Sequence, residues 1–560
     1  MIRLFDRHRV RKYVELDGLW DFQPVENDDH DVSAFRYQLP VPSCWESHPD
    51  LTTYRGKGLY RKKINIAKQT NLQFECKGIS HTAEVYFDGK KVKSHYNAYT
   101  PFSFIIPDVQ AGEHEIRILV DNRFTSESAL HIPNDYYTYG GIIRPIVMEY
   151  LPEVSIANMK CVPQYQEQNW HLHLEVDLQL LQPMTDMIYV SGKISEKTFS
   201  IVAKIPKTGD RLQLQHQIKN LEVESWSSDN PRLYEVELEL YTEYSNQPVD
   251  DYIERIGFRT VSTDNGKIQI NGDDIVLKGC NRHEDHPIVG ASFPLQLMMQ
   301  DLQLLKDMGA NAVRTSHYPN DERFLDLCDE LGFYVWEENH ARGLSLERMQ
   351  HPQFQNQCQQ VNQEMVENHV NHPCIIMWGI LNECASHTEE GRAMYREQLK
   401  QIRSMDNSRP LTFASHHREK ELCFDLVDIV SFNLYPLWYT DEDPSELVDQ
   451  ARKWADELGG KGKPMIMSEF GADGFYGYRT ISQVKGTEER QAQIIDENLK
   501  SYMETDYISG MFIWQFADCR VTEEEWFMKR AQTMNNKGIV DMYRRPKLAY
   551  DKVKNRWRRG

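Results

Sequence analysis

The rhythm of apolar residues changes once, near Gly257, and that change limits what the chain can fold into. Up to Ile256 helical periodicity is nearly absent and short alternating runs dominate. After it, short apolar runs alternate with helical patterns. The eight runs are Ile275–Gly279, Ala312–Thr315, Phe333–Glu337, Ile375–Leu381, Leu411–Ala414, Ile429–Phe432, Met465–Ser468 and Met511–Gln515. Between them lie amphipathic stretches. In the one from Leu295 to Met308, residues Leu295, Met298, Leu302 and Leu305 share a face and Gly309 supplies the stop. Another runs from Asp321 to Leu331 and is closed by Gly332. Eight strand–helix units predict a closed (β/α)8 TIM barrel. A doubly wound open sheet is the rival, but no Gly-rich phosphate loop stands at a strand–helix junction.

The first half reads as β-structure. Ala83–Phe87 alternates and Asp88-Gly89 follows as a hairpin turn; Glu115–Val120 is a second such strand. A single small sandwich is too short for this half, so it divides where Leu151-Pro152-Glu153 interrupts strand-rich sequence. Trp170–Val176 and Tyr234–Leu240 then alternate as strands of a second sandwich. The expected units are a jelly roll over 1–152, an immunoglobulin-like sandwich over 153–260 and the barrel over 261–560. A net charge of −20 argues against nucleic acid or an anionic membrane as partner, and makes any cation in an anion-binding pocket a local feature. Ten scattered cysteines form no disulfide or zinc pattern. The start lacks a signal-peptide core and no apolar run is long enough to cross a membrane. A cytoplasmic location and a homo-oligomeric state are expected.

In TIM barrels the chemistry gathers at the C-terminal strand ends. Here those ends carry Asn281-Arg282-His283-Glu284-Asp285, Arg314-Thr315-Ser316-His317-Tyr318, Glu337-Glu338-Asn339-His340, Asn382-Glu383, Asn433-Leu434-Tyr435, Glu469, and Trp514 with Asp518. A polar ring with aromatic faces suits a sugar. Glu383 and Glu469, each closing an apolar run, provide the two carboxylates, about 5 Å apart, that a retaining glycoside hydrolase requires. Position is the informative point, because the chain holds 84 acidic residues. Any one histidine of the ring is more often structural than catalytic, and Trp514 serves core or platform equally well. Arg282, His283, Glu284, His317 and His340 also allow a metal site, but their spacing matches no HExxH helix, and a structural or substrate-binding role is the better reading. No GxSxG elbow supports a serine hydrolase. Neither a metal nor a cofactor is expected.

Gly279-Cys280-Asn281-Arg282-His283-Glu284-Asp285, Arg314 through Pro319, Trp378 through Glu383, and Ser468-Glu469-Phe470-Gly471 resemble signature segments of glycoside hydrolase family 2. Asp88-Gly89 and Ala98 through Phe102 resemble its N-terminal sugar-binding-type domain. The resemblance implies Glu383 as acid/base, Glu469 as nucleophile and Asn382 as holder of the sugar 2-hydroxyl. It further implies that Asp135 reaches a sugar hydroxyl from the N-terminal unit, and that His317, Tyr435, Tyr439 and Trp514 line the pocket.

Among family members the likeness is greatest to β-glucuronidases, which read the uronate carboxylate with an Asn-x-Lys motif before Gly; Asn535-Asn536-Lys537-Gly538 fits. Lys537 would supply a compact cation and Asn535 a hydrogen bond, unless Lys537 is an ordinary solvated lysine. The expected substrate is a terminal β-linked uronic acid, first a β-D-glucuronide. Arg342 departs from the pattern. It would bind the uronate, select an axial 4-hydroxyl and so make a β-galacturonidase, or point to solvent. A β-galactosidase-type neutral-sugar hydrolase and a catalytically silent binding protein are the other readings. The short segment after Gly343 implies an open entrance, and Glu383 is expected to rest protonated.

Overall fold

The computed structural model describes residues 2–26, 32–182, 187–206 and 209–558. The first unit is a sandwich of a six-stranded and a four-stranded antiparallel sheet. Alternation drives it: Ile116, Ile118 and Val120 point into a core with Trp20, Phe22, Trp45 and Phe74. The hairpin forms at the predicted turn, with Phe87 opposite Lys90 and positive φ at Asp88 (47°) and Gly89 (76°). The second sandwich has a three-stranded and a four-stranded sheet, built on Asn169–Leu180 and Tyr234–Thr242 among others.

The third unit is a closed ring of parallel strands. Leu411–Thr412 pairs with the fourth strand and Ala414–Ser415 with the sixth, so one fifth strand, broken at Phe413, closes an eight-stranded barrel. Helix Leu295–Met308 ends at Gly309 and helix Glu322–Leu331 at Gly332, each glycine left-handed as predicted. Most strand ends shift by a residue or two, and the first and last strands differ most from the expectation. The first strand is Leu277–Asn281, because Asp273–Ile275 instead makes a hairpin with Ile268–Ile270 across Asn271-Gly272. The eighth is Ile508–Ile513, which places Trp514 and Gln515 beyond the strand. No helix is long and apolar enough to cross a membrane among the described residues.

Contacts between units shape the barrel mouth. The Asn134–Tyr136 segment of the first unit lies against the barrel: Asn134 N donates to Thr522 Oγ1 at 3.1 Å, Thr522 N donates to Asn134 O at 3.1 Å, and Tyr136 Oη is 3.0 Å from His340 Nε2. Buried Arg144 adds a link, with Nη2 at 2.9 Å from Glu284 Oε2.

Candidate active site

The site is organised by Arg314, at the C-terminal end of the second barrel strand. A guanidinium offers five donors in one plane, and here four partners take them. Its Nε and Nη2 each donate to Glu338 at 2.9 Å, Nη1 donates to Glu469 Oε1 at 3.0 Å and to Asn281 Oδ1 at 2.9 Å, and Nη2 donates to Asn382 Oδ1 at 2.8 Å. The guanidinium also lies 4.6 Å from the centroid of the Trp336 ring. That ring needs Gly379 on the next strand, since a Cβ there would stand 2.2 Å from Trp336 Nε1. A fully buried arginine needs this many partners to offset its lost hydration.

Glu383 and Glu469 join one network. Asn433 Nδ2 donates to Glu383 Oε1 at 2.8 Å and to Asn382 Oδ1 at 3.1 Å, and Asn382 in turn reaches Arg314 and so Glu469. Tyr435 Oη donates to the other Glu469 oxygen at 2.7 Å. Asn382 Nδ2 is buried and finds no acceptor among the described residues, so this network keeps one unpaired donor. His317 is fixed by Glu338 at 2.7 Å and stacks on Trp514 at 5.1 Å, and burial, Arg314 and Arg342 keep it neutral. Trp514 is buried and serves as packing beneath His317 and His283.

The charges around Glu383 work against the expectation that it rests protonated. Burial pushes its carboxyl up, but the His416 imidazole 3.5 Å away, Arg342 and the Asn433 hydrogen bond outweigh it and hold Glu383 well below the carboxylate range. Glu469 instead is pushed up to about 7, by burial and the charge of Glu383, against Arg314 and Tyr435. Sequence reasoning passed over His416, although it follows directly on the fifth strand.

A second cluster lines the rim. Lys537 is buried, not a solvated lysine; its Nζ is 2.8 Å from Asp473 Oδ1 and about equally far from two rings, Trp438 (5.4 Å) and Tyr439 (5.2 Å). Asn535 Nδ2 donates to Asp135 Oδ2 at 3.0 Å, and Arg530 Nε donates to Asp135 Oδ1 at 3.0 Å. The loop bearing Asn535 and Lys537 is clamped from behind: Asp518 Oδ1 accepts from Gly538 N at 2.9 Å and from Lys547 Nζ at 2.7 Å. Arg342 turns inward rather than to solvent; Nη1 donates to Asn134 Oδ1 at 2.9 Å, and Glu383, Asp135 and Glu469 raise its pKa against the cost of burial. Tyr439 stands at the mouth, 61% exposed, with its ring 5.2 Å from that of Tyr435. Arg530 and Asp473 were missed in the sequence. Asp473 had a usable signal, lying just past the seventh strand, Met465–Phe470; Arg530 belongs to no barrel strand or helix and had none.

Three residues of the metal alternative have partners within the protein. Arg282 binds Asp301 and Asn320, Glu284 accepts from Arg144, and His340 meets Tyr136.

Comparison with known proteins matches all three units. Residues 14–152 fit the profile described as "Glycosyl hydrolases family 2, sugar binding domain", residues 154–259 "Glycosyl hydrolases family 2", and residues 261–559 "Glycosyl hydrolases family 2, TIM barrel domain". A solved structure of a β-galacturonidase of this family from Eisenbergiella tayi, bound to galacturonate, is 43% identical with a TM-score of 0.94, covering 100% of this chain and 99% of that one. The β-glucuronidase of Streptococcus agalactiae serotype V is 27% identical over 98% of this chain and 96% of that protein. The β-glucuronidase of Homo sapiens is also 27% identical, over 98% and 91% respectively.

Proposed function

The chain belongs to glycoside hydrolase family 2, and from that premise we propose that it is a retaining β-hexuronidase releasing terminal uronic acids, with β-D-galacturonides preferred over β-D-glucuronides. The observation that carries the acidic-sugar reading is Lys537. It is a buried ammonium beside Asn535 at the rim of the carboxylate site, in a protein whose net charge is −20. A buried cation there offsets the repulsion that two catalytic carboxylates exert on a uronate.

In the proposed mechanism Glu469 attacks the anomeric carbon as the glycosidic bond breaks, and Glu383 gives its proton to the leaving oxygen. Glu383 then takes a proton from water, which attacks the anomeric carbon and releases Glu469 with the configuration retained. The unpaired Asn382 Nδ2 suits the 2-hydroxyl, and Asp135, with Arg530 and Asn535 bound to it, suits a hydroxyl nearer the carboxylate end. His317, Tyr435 and Trp514 hold the nucleophile's surroundings, and Tyr439 faces the aglycone. The proposed domain divisions stay at 152/153 and 260/261.

Arg342 favours the galacturonide. It lies beside Asn134 on the wall supplied by the first unit, close to Asp135 and to both carboxylates, where a guanidinium can meet an axial 4-hydroxyl. The likeness to the Eisenbergiella tayi β-galacturonidase supports the same choice. The test is a side-by-side assay of nitrophenyl β-galacturonide, β-glucuronide and β-galactoside. Both uronides are expected to exceed the galactoside, with the galacturonide first. Arg342→Ala is expected to cut galacturonide kcat/KM by about 10²-fold and glucuronide by under tenfold. Equal losses sink the role of Arg342, and a dominant galactoside activity sinks the uronide reading.

The acid–base pair also sets a pH dependence. Catalysis needs one proton on Glu383 and none on Glu469, and the pair titrates together. Loss of that single proton, near pH 7 by the Glu469 value, lowers kcat/KM as pH rises. His416 as imidazolium stabilises the fully ionised pair, so His416→Gln is expected to move the falling limb upward by about one pH unit. A pH–rate profile checks this, and an unmoved limb removes His416 from the acid–base system.

A cytoplasmic location is part of the proposal, supported by ten buried free thiols. A homo-oligomer is proposed from the exposed apolar side chains Tyr476, Tyr478, Ile481 and Val484.

A further inference from the structure

The ammonium assigned to the substrate carboxylate already has a carboxylate partner within the protein. Lys537 Nζ lies 2.8 Å from Asp473 Oδ1, and among the described residues it donates to no other acceptor. Arg530 Nη1 stands 3.9 Å from the same oxygen. Four charges therefore alternate along the rim, Asp135, Arg530, Asp473 and Lys537, and their sum is zero.

The two members of the Lys537–Asp473 pair are not equally held. The Lys537 side chain is 1% exposed and that of Asp473 is 21% exposed. The backbone on both sides of Asp473 is pinned: Gln491 Nε2 donates to Ala472 O at 2.9 Å, and Gly474 N donates to Asn536 O at 2.9 Å. Only the short side chain of Asp473 is then free to turn, and it has water to turn into. Lys537 has no such exit. A uronate arriving at Lys537 brings a second anion to one ammonium, and the pre-existing anion is the one able to yield.

We propose that Asp473 is an internal competitor for the uronate site: its carboxylate holds Lys537 until the substrate carboxylate displaces it, and it regains Lys537 as the free uronate leaves. Asp473 is thus a specificity-determining residue that weakens the binding of acidic sugars and speeds release of the acidic product. This inference rests on the uronide reading given above. It makes a prediction contrary to simple intuition, because removing a residue of the pocket is to tighten binding.

The experiment uses the full chain with Asp473→Asn, which keeps the shape and removes the charge, and Asp473→Ser as a second variant should the first fold poorly. Free galacturonate and free galactose are measured as competitive inhibitors of nitrophenyl uronide hydrolysis. The galacturonate Ki is expected to fall about three- to tenfold in either variant, with the uronide KM falling in parallel, and the galactose Ki to move less than about twofold. A galacturonate Ki that is unchanged or higher overturns the proposal, since Asp473 would then orient Lys537 rather than compete for it. If galacturonate and galactose inhibit the wild-type enzyme equally, the uronide reading itself has failed; if the wild type prefers the acid and the variants do not tighten, only the competition has.

Discussion

Glu469→Gln is expected to lower turnover of every β-uronide by on the order of 10⁴-fold or more while leaving the fold intact, because a neutral amide cannot form the glycosyl–enzyme bond. The structure says why the protein survives the change. Arg314, which loses one charged partner, keeps Glu338 at 2.9 Å on two of its nitrogens, as well as Asn281 and Asn382. Tyr435 can still donate to the amide oxygen. Steady-state kinetics with a circular dichroism spectrum checks both halves. A more telling variant is Glu469→Gly with added azide. The anion enters the space left by the side chain, attacks from the same face and yields the α-glycosyl azide, the configuration opposite to the substrate's. A β-glycosyl azide would instead place the nucleophile elsewhere, and near-full activity of Glu469→Gln would end the double-displacement assignment.

Lys537→Ala is expected to produce the second large effect, and a selective one. A buried ammonium that meets a carboxylate is worth more than an exposed one, and its removal should cost about 10²- to 10³-fold in kcat/KM on a uronide. The matching neutral glycoside, which has no C5 carboxylate, should lose less than about tenfold. The ratio of the two losses is the measurement, since misfolding lowers both together. Equal losses would show that the ammonium serves the loop rather than the substrate. Arg530 makes the comparison sharper, because its guanidinium is tied to Asp135 and so does not simply replace the missing charge.

The barrel was legible because its strands are buried on both faces and so read as continuous apolar runs. Ile375–Gly379 and Met465–Phe470 each deliver the chain to a glutamate-bearing edge, and the eye can follow them there. Errors fell where a local hairpin competed, as at Asp273–Ile275, or where Ser509 and Gly510 diluted the apolar signal of the last strand. The sandwiches were legible by period two. Glu383, Glu469, Asn382 and Tyr435 share one hydrogen-bond network, since strand order in a closed barrel brings them together. Long-range pairings were not legible. Nothing near Asp135 announces Arg530, and nothing near Lys537 announces Asp473, because these partners meet only after three chain segments have folded. The pull of His416 on Glu383 was not legible for the same reason, since that approach is a property of the assembled rim.

One wall of the pocket is a loan. The segment Asn134–Tyr136 belongs to the first sandwich, yet Asn134 braces Arg342 and Asp135 neutralises Arg530. A barrel excised as a minimal hydrolase would retain both glutamates and still lose the acceptors for two of its arginines. Conversely, a loop graft outside the barrel is expected to change the partners of Arg342 and Arg530 with every barrel strand left untouched.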